Sequence, residues 1–313
     1  MVQSLNLVFC GTPQFAVPTL EKLVAAGFSM PLVVTQPDRP KGRGLELVMS
    51  PVKQAATDLG LPVYQPEKIK HNEELRAKLE QIAPAAIIVV GYGRIIPSWM
   101  VQLPKFGNIN LHASLLPKYR GAAPIQWAIA NGDLVTGVTT MRIDEGLDTG
   151  DILLQQESPI TEDDTAETVS PRLAALGAEL MVETLRGVES GQIHPQPQNP
   201  TKATLAPVLK KEDGRIDFRR KSSEIYNRLR GFQPWPGAFV TFRGKNLSVT
   251  AARPAPISVP RAQLLMENGR VFAGCGESSA LELLAVQPEG KKRISAADFI
   301  HGYRPQTGEK LGA

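Results

Sequence analysis

Along the first two-thirds of the chain, apolar and polar positions alternate between two rhythms. "LNLVFC", "PLVVT", "AAIIVVG" and "NINLH" are short, nearly continuous apolar runs, as expected of strands buried on both faces. Between them, "VPTLEKLVAAG", "SPVKQAATDLG" and "NEELRAKLEQIA" space their apolar residues three and four apart, the period of amphipathic helices. Strands alternating with helices predict an α/β domain with a mostly parallel sheet covered on both faces. Further strands are expected at "GVTTMRI" and "DILLQQES", then a long helix from about Thr165 to Gly187. Residues 191–208, rich in Pro and polar side chains, read as a linker. Beyond it, a small helix at "SSEIYNRLRGF" precedes short runs at "GAFVTF", "NLSVTAA", "RVFAG" and "ALELLAV", broken by Gly, Asn and Pro. This is the pattern of a small β-barrel or sandwich. The predicted organisation is therefore a domain over 1–190, a linker over 191–208 and a second domain over 209–313.

At 313 residues, two domains can each bury a core. The 42% hydrophobic and 21% charged content is ordinary for a soluble globular protein. No apolar run reaches the ~18 residues needed to span a bilayer. The start "MVQSLNLVFCG" reads as a strand rather than a signal peptide. Cys10 and Cys275 are too far apart for a metal-ligand spacing and are read as reduced core thiols of a cytoplasmic protein. Charge is unevenly divided. Residues 1–208 hold 17 Lys and Arg against 21 Asp and Glu, and residues 209–313 hold 18 against 10. A net charge of +8 on the last third fits either a large anionic partner such as nucleic acid or a solvated basic surface.

Candidate chemistry clusters at the ends of the strands. "GTPQFA" after the first strand lacks both a three-glycine dinucleotide pattern and a P-loop Gly-Lys-Ser/Thr, and reads as a structural turn with Thr12 as N-cap and Pro13 at the first helical position. "VVGYGRIIP" ends a very apolar strand with glycines around Tyr92, at the strand edge where open α/β sheets take ligands. In "INLHASLLPKYRG", period two puts Asn110 and His112 side by side on one face of a strand. The later loop "RIDEGLDTGDIL" offers Asp144, Glu145, Asp148 and Asp151 among glycines, but not in the ligand order of a calcium loop. No metal is expected. "TQPDRPKGRGLELV" reads as a mobile basic loop at a site rim, carrying Arg39, Lys41 and Arg43.

Taken together, "GTPQFA", "TQPDRPKGRG", "GYGRIIP", "INLHASLLPKYRGAAPIQWAI", "GLDTGDIL", "QPWPGAF" and "QPEGKKRISAADF" resemble the 10-formyltetrahydrofolate-dependent formyltransferases over the whole chain. The resemblance implies a doubly wound, Rossmann-like catalytic domain and an OB-like β-barrel that binds tRNA. It implies transfer of a formyl group from 10-formyltetrahydrofolate to the α-amine of methionyl initiator tRNA, by a cytoplasmic monomer. Formylation of a small amine, such as a purine precursor or an amino sugar, is the alternative. By the same resemblance, Asn110, His112 and Asp148 match the catalytic trio. Ser114, Leu115, Leu116 and Pro117 match the folate-binding turn, as do Tyr92, Gly93 and Arg94 less sharply. Arg39, Lys41 and Arg43 match the loop that meets the tRNA acceptor end. Where the family often continues with basic residues after "GRG", this chain has Leu45 and Glu46, which leaves Arg43 as the main contact.

Overall fold

A computed structural model of the chain describes residues 5–41 and 46–312. It contains two compact units, neither continuous in sequence. The first comprises Met1–Pro124, Val135–Pro159 and Ser170–Ala206, and the second Ile125–Leu134, Ile160–Val169 and Pro207–Ala313.

The first unit is built on β1 (Asn6–Gly11), β2 (Ser29–Val34), a hairpin of β3 (Arg39–Lys41) and β4 (Glu46–Val48), β5 (Val63–Tyr64), β6 (Ala86–Val90), β7 (Asn108–His112), β8 (Val135–Arg142) and β9 (Ile152–Pro159). Its seven-stranded sheet runs β5-β2-β1-β6-β7-β8-β9. The first five strands are parallel, and β8 and β9 add antiparallel pairs at one edge. Every residue of β6 is buried, which explains its unbroken "AIIVV". The order reverses between β1 and β6, the kind of switch point at which open α/β sheets take ligands.

Helices α1 (Val17–Ala25), α2 (Pro51–Asp58), α3 (Glu73–Ile82) and the short α4 (Ser98–Val101) connect the parallel strands. Ser50 caps α2 by accepting from Lys53 N at 3.0 Å, with Pro51 at the first helical position. Asn72 caps α3 by accepting from Leu75 N at 2.8 Å. The "GTPQFA" turn departs from expectation. Pro13 precedes a single 3₁₀ turn (Gln14–Ala16), and the Thr12 hydroxyl donates to Tyr92 O at 3.2 Å instead of capping a helix. The segment 191–208 is also tied down. Gln196 and Ile152 exchange two backbone hydrogen bonds at 2.8 Å, while Ala206 N donates to Arg120 O at 2.7 Å and Arg120 N to Thr204 O at 2.9 Å.

The second unit contains α5 (Pro124–Ala130) from Ile125 onward and the beginning of α6 (Ala166–Glu189), which continues into the first unit. It then adds α7 (Ser222–Gly231), β10 (Ala238–Phe242), β11 (Lys245–Ala255), β12 (Leu264–Glu267), β13 (Arg270–Gly274), β14 (Ala280–Pro288), β15 (Ile294–Ser295) and α8 (Ala296–Tyr303). The antiparallel strands run β10-β11-β14-β13-β12, with β15 beside β14. Alternate residues of β10 are buried, the period-two pattern of a sheet with one wet face. Phe218, Ile225, Leu229, Val240, Val271 and Phe299 are among the residues that form the core. The C-terminal tail spans the two sheet edges: Leu311 N donates to Ala262 O at 2.8 Å and Gly312 N to Thr241 O at 2.7 Å. The edge groups thereby find partners, and the domain is barrel-like as expected.

Trp127 of α5 packs edge-on against Phe232, with ring centroids 5.2 Å apart, and its indole donates to Pro207 O at 2.9 Å. Arg230, 6% exposed, donates to Thr161 O at 2.8 Å and Asp164 O at 3.0 Å. Those contacts explain why residues 125–134 and 160–169 belong with the C-terminal third rather than with the sheet they follow in sequence. No helix among the described residues is long and apolar enough to cross a membrane.

Candidate active site

The strand β7 carries Asn110 and His112 on one face, between β6 and β8: Asn110 pairs with Val89 on one side and Met141 on the other. Asn110 is half-buried and His112 is 6% exposed. The imidazole Nε2 lies 2.8 Å from Tyr119 O. A carbonyl can only accept, so Nε2 carries a proton and the neutral ring keeps its lone pair on Nδ1. Nδ1 faces the Asp148 carboxylate, 3.7 Å from Oδ2. A proton taken up at Nδ1 would therefore meet a carboxylate on one side of the ring and a carbonyl on the other.

Asp148 occupies the left-handed region, φ 50°, in the loop between β8 and β9. Its Oδ2 accepts from Gly121 N at 2.8 Å. Asp144, from the same loop, is exposed and accepts from Gly146 N and the Thr149 hydroxyl, so it stabilises the turn and stays away from His112. Among the described residues, no group of three His, Cys, Asp or Glu side chains is arranged to hold a metal.

The turn 114–117 is clamped onto β8. The Thr139 hydroxyl, fully buried, donates to Ser114 O at 2.6 Å and accepts from Leu116 N at 3.1 Å. Gln155 Nε2 donates to Leu116 O and to Thr139 Oγ1, each at 2.9 Å. Ser114 is buried and its hydroxyl donates to Lys118 O at 2.6 Å, while Leu116 is 3% exposed. Leu115 and Pro117, both half-buried, are the side chains of this turn that a ligand can reach.

At the end of β6, Tyr92 places its ring in the core, 1% exposed. Burial first, then the neighbouring Cys10 thiol, pushes its phenol upward, so it stays protonated. The Tyr92 carbonyl is occupied too, accepting from Thr12 Oγ1 and from Gln36 Nε2 at 2.9 Å. What this loop offers a ligand is therefore exposed backbone at Gly91 and Gly93. Gly93 has φ 75°, a conformation that favours glycine, and a Cβ there would displace Gln36 Nε2, 2.7 Å away. Arg94 is half-buried, with an Nε that has no hydrogen-bond partner.

On either side of 42–45 the basic stretch forms two short paired strands where a loop was expected from its composition. Arg39 and Lys41 lie on β3, paired with Val48 and Glu46 of β4. Arg43 and Leu45 lie outside the described residues. Arg39 is exposed, 3.9 Å from Glu67. The root of the hairpin is held at Asp38, which accepts from Lys53 Nζ at 2.5 Å and Gln65 Nε2 at 2.8 Å. Those hydrogen bonds, Lys53 first, hold the Asp38 carboxyl below its ordinary range.

His112 and Asp148 thus meet, Asn110 lies two residues before His112 on the same face of β7, and the 114–117 turn directly follows His112 in the chain. Sequence reading missed the supporting residues: Tyr119, Gly121, Thr139, Gln155 and Gln198. Thr139 and Gln155 alternate along strands, but nothing in the sequence says which turn they face.

A parallel α/β sheet with an amide, an imidazole and a carboxylate at its carboxyl edge, joined to a barrel-like antiparallel domain, defines a two-domain α/β enzyme. The family model described as formyl transferase matches residues 5–185, and that described as formyl transferase, C-terminal domain, matches residues 208–304. The chain belongs to the formyl transferase family. A protein of Koribacter versatilis named methionyl-tRNA formyltransferase is 65% identical over 306 residues, covering 98% of each chain. One of the same name from Acidobacterium capsulatum is 58% identical over 99% of this chain and 100% of its own. Among solved structures, an N-formyltransferase from Helicobacter canadensis in complex with folinic acid and dTDP-3-aminofucose has the same fold, with a TM-score of 0.66 at 20% identity over 90% of this chain and 98% of its own.

Proposed function

We propose that the protein transfers the formyl group of 10-formyltetrahydrofolate to the free α-amino group of methionyl initiator tRNA, giving N-formylmethionyl-tRNA for translation initiation. It works as a cytoplasmic monomer. One observation carries the choice of acceptor: relatives of that name match 98% and 99% of the chain, the basic residues 209–313 included.

The residues at the sheet edge fit a folate. Exposed backbone at Gly91 and Gly93 admits a flat ring, and the unpartnered Arg94 Nε is a buried donor awaiting an acceptor. Gly93, Arg94, Leu115 and Pro117 would hold the donor, with Tyr92, Ser114 and Leu116 shaping the two segments from within the core. When bound, the donor supplies an N-linked formyl carbon for the amine to attack.

As the amine adds, negative charge develops on the formyl oxygen, and Asn110 donates its amide hydrogens there. His112 has one ring nitrogen available to take up a proton, Nδ1, since Nε2 is committed to Tyr119 O. Asp148, 3.7 Å from Nδ1, stabilises the imidazolium that results, and the same proton passes to the folate nitrogen as its bond to the formyl carbon breaks, releasing tetrahydrofolate and the formylated amine. Its own orientation is fixed by the Gly121 N–H, which lets the carboxylate act without reorganising. Arg43, with Arg39 and Lys41 on the strand leading to it, meets the acceptor end of the tRNA. The +8 charge of residues 209–313 attracts the tRNA backbone.

The test is incubation of the protein and formyl donor with charged initiator tRNA, elongator methionyl-tRNA and small amines in parallel. Formyl-methionine released from the initiator sample alone is the expected product. Formylation confined to a small amine would replace the acceptor while keeping the chemistry.

A further inference from the structure

Gln198 belongs to the stretch expected to be a linker, yet its carboxamide uses all of its principal hydrogen-bonding capacity on the active-site loops. Nε2 donates to Asp148 O at 2.9 Å and to Gly150 O at 2.8 Å. Oε1 accepts from Arg120 Nε at 3.1 Å and Arg120 Nη2 at 2.7 Å. Two residues earlier, the Gln196–Ile152 bridge fixes the strap beside the same loop.

The geometry has a consequence for the carboxylate. Arg120 immediately precedes Gly121, whose N–H holds Asp148 Oδ2 at 2.8 Å. One side chain therefore ties together the segment that presents the carboxylate and the segment that presents its donor. Asp148 also sits at φ 50°, a conformation that costs an L-residue energy and persists only where its surroundings enforce it. Gln198 grips the carbonyl of that same residue.

We infer that Gln198 is a positioning residue: its two N–H groups hold the Asp148 main chain in the left-handed conformation and thereby set the carboxylate against the His112 ring. The inference rests on the reading of His112 and Asp148 as catalytic groups. Glutamate at this position would keep the length and the Arg120 contact but turn a carboxylate oxygen toward two carbonyls. The donors, rather than the packing, can thus be tested separately.

The experiment compares full-length wild type with Gln198→Ala, Gln198→Glu, Asp148→Ala and the Gln198→Ala/Asp148→Ala double variant. Turnover and KM for both substrates are measured, together with the ¹⁵N resonances of the His112 ring in the protein alone. Misplacing a catalytic group by an ångström costs on the order of 100-fold. Both Gln198 variants should therefore lower kcat by roughly 10- to 100-fold, with KM changed by less than about 3-fold. In the Asp148→Ala background, Gln198→Ala should cost less than about 2-fold more, because the two act through one group. The His112 ring resonances should move in the same direction in Gln198→Ala as in Asp148→Ala. A Gln198→Glu protein with native turnover would overturn the role of the donors, and it decides the matter should Gln198→Ala fail to fold. Equal losses in both backgrounds, or His112 resonances that stay put, would reduce Gln198 to a fold contact. Should wild type leave methionyl-tRNA unformylated, the proposed acceptor fails, and the His112 resonances still decide the role of Gln198.

Discussion

His112 illustrates how one backbone contact assigns chemistry to a ring. With Nε2 given to Tyr119 O, the ring can exchange a proton only at Nδ1, on the side of Asp148. Asn110→Ala, His112→Ala and Asp148→Ala should each lower turnover far more than they raise KM for tRNA. Loss of one positioned oxyanion donor typically costs about 100- to 1,000-fold in kcat. Because the three groups serve one transition state, combined variants should lose less than the product of the single losses. Steady-state kinetics of the variants check this, and native turnover in His112→Ala would remove the ring from the chemistry.

Glu282 is a residue of another kind, concerned with stability. It is 4% exposed and receives Arg253 Nε at 2.8 Å and Arg270 Nε at 2.7 Å. The hydrogen bond from Arg270 leads in holding its carboxyl down to about 2. A carboxyl depressed in the fold stabilises it above the unfolded value of ~4.3, and that contribution disappears as pH falls toward the folded value. The melting temperature should therefore drop between about pH 4.5 and pH 2. Glu282→Gln should flatten this acid limb while lowering the melting temperature at pH 7.

Among the elements, the 114–117 turn and the 39–48 hairpin behave differently. The turn hangs on one hydroxyl: Thr139 serves Ser114 O, Leu116 N and Gln155 Nε2 at once. Thr139→Val keeps the shape and removes the hydroxyl, leaving buried groups unpaired at a cost of about 1–3 kcal/mol. Reduced melting temperature and weaker folate binding by titration should accompany each other in this variant. The hairpin strands are anchored at Asp38, and Arg39 beside it is exposed. Arg43→Ala should impair tRNA formylation severely and leave folate binding nearly unchanged, whereas Arg43→Lys should rescue only in part. Lysine restores the charge but lacks the planar fork that suits phosphate and base edges. Intact tRNA formylation in Arg43→Ala would make the hairpin a bystander.

At the scale of the whole molecule, the charge asymmetry should govern tRNA affinity. The logarithm of the binding constant is expected to fall linearly with the logarithm of salt concentration. Neutralising the exposed run Lys291, Lys292 and Arg293 should lower both affinity and the steepness of that line. Filter binding across a salt series measures both, and salt-independent binding would take the basic residues of 209–313 out of tRNA recognition. Substitutions suit this test better than truncation after residue 208. The second unit includes 125–134 and 160–169, so a shortened chain would keep those segments without Phe232 and Arg230, their packing and hydrogen-bonding partners.

The order of strands and helices was legible because burial on two faces leaves unbroken apolar runs, and a helix repeats every 3.6 residues. Asn110 and His112 were legible as neighbours on one face for the same reason, and the motifs carried the family. Other features depended on distant parts of the chain. Thr12 looked like a cap by local rules, but the Tyr92 carbonyl, 80 residues on, takes its hydroxyl. Tyr92 stood out between two glycines at a strand end, and the core takes its ring. The Pro-rich stretch carried no periodicity, yet Gln196 and Gln198 are engaged with Ile152, Asp148 and Arg120. Sequence by itself determined the elements, because their periods are set by neighbouring residues. Tertiary structure decided which side chains act and which hold them, because a hydrogen bond depends on separation in space and leaves no period in the chain.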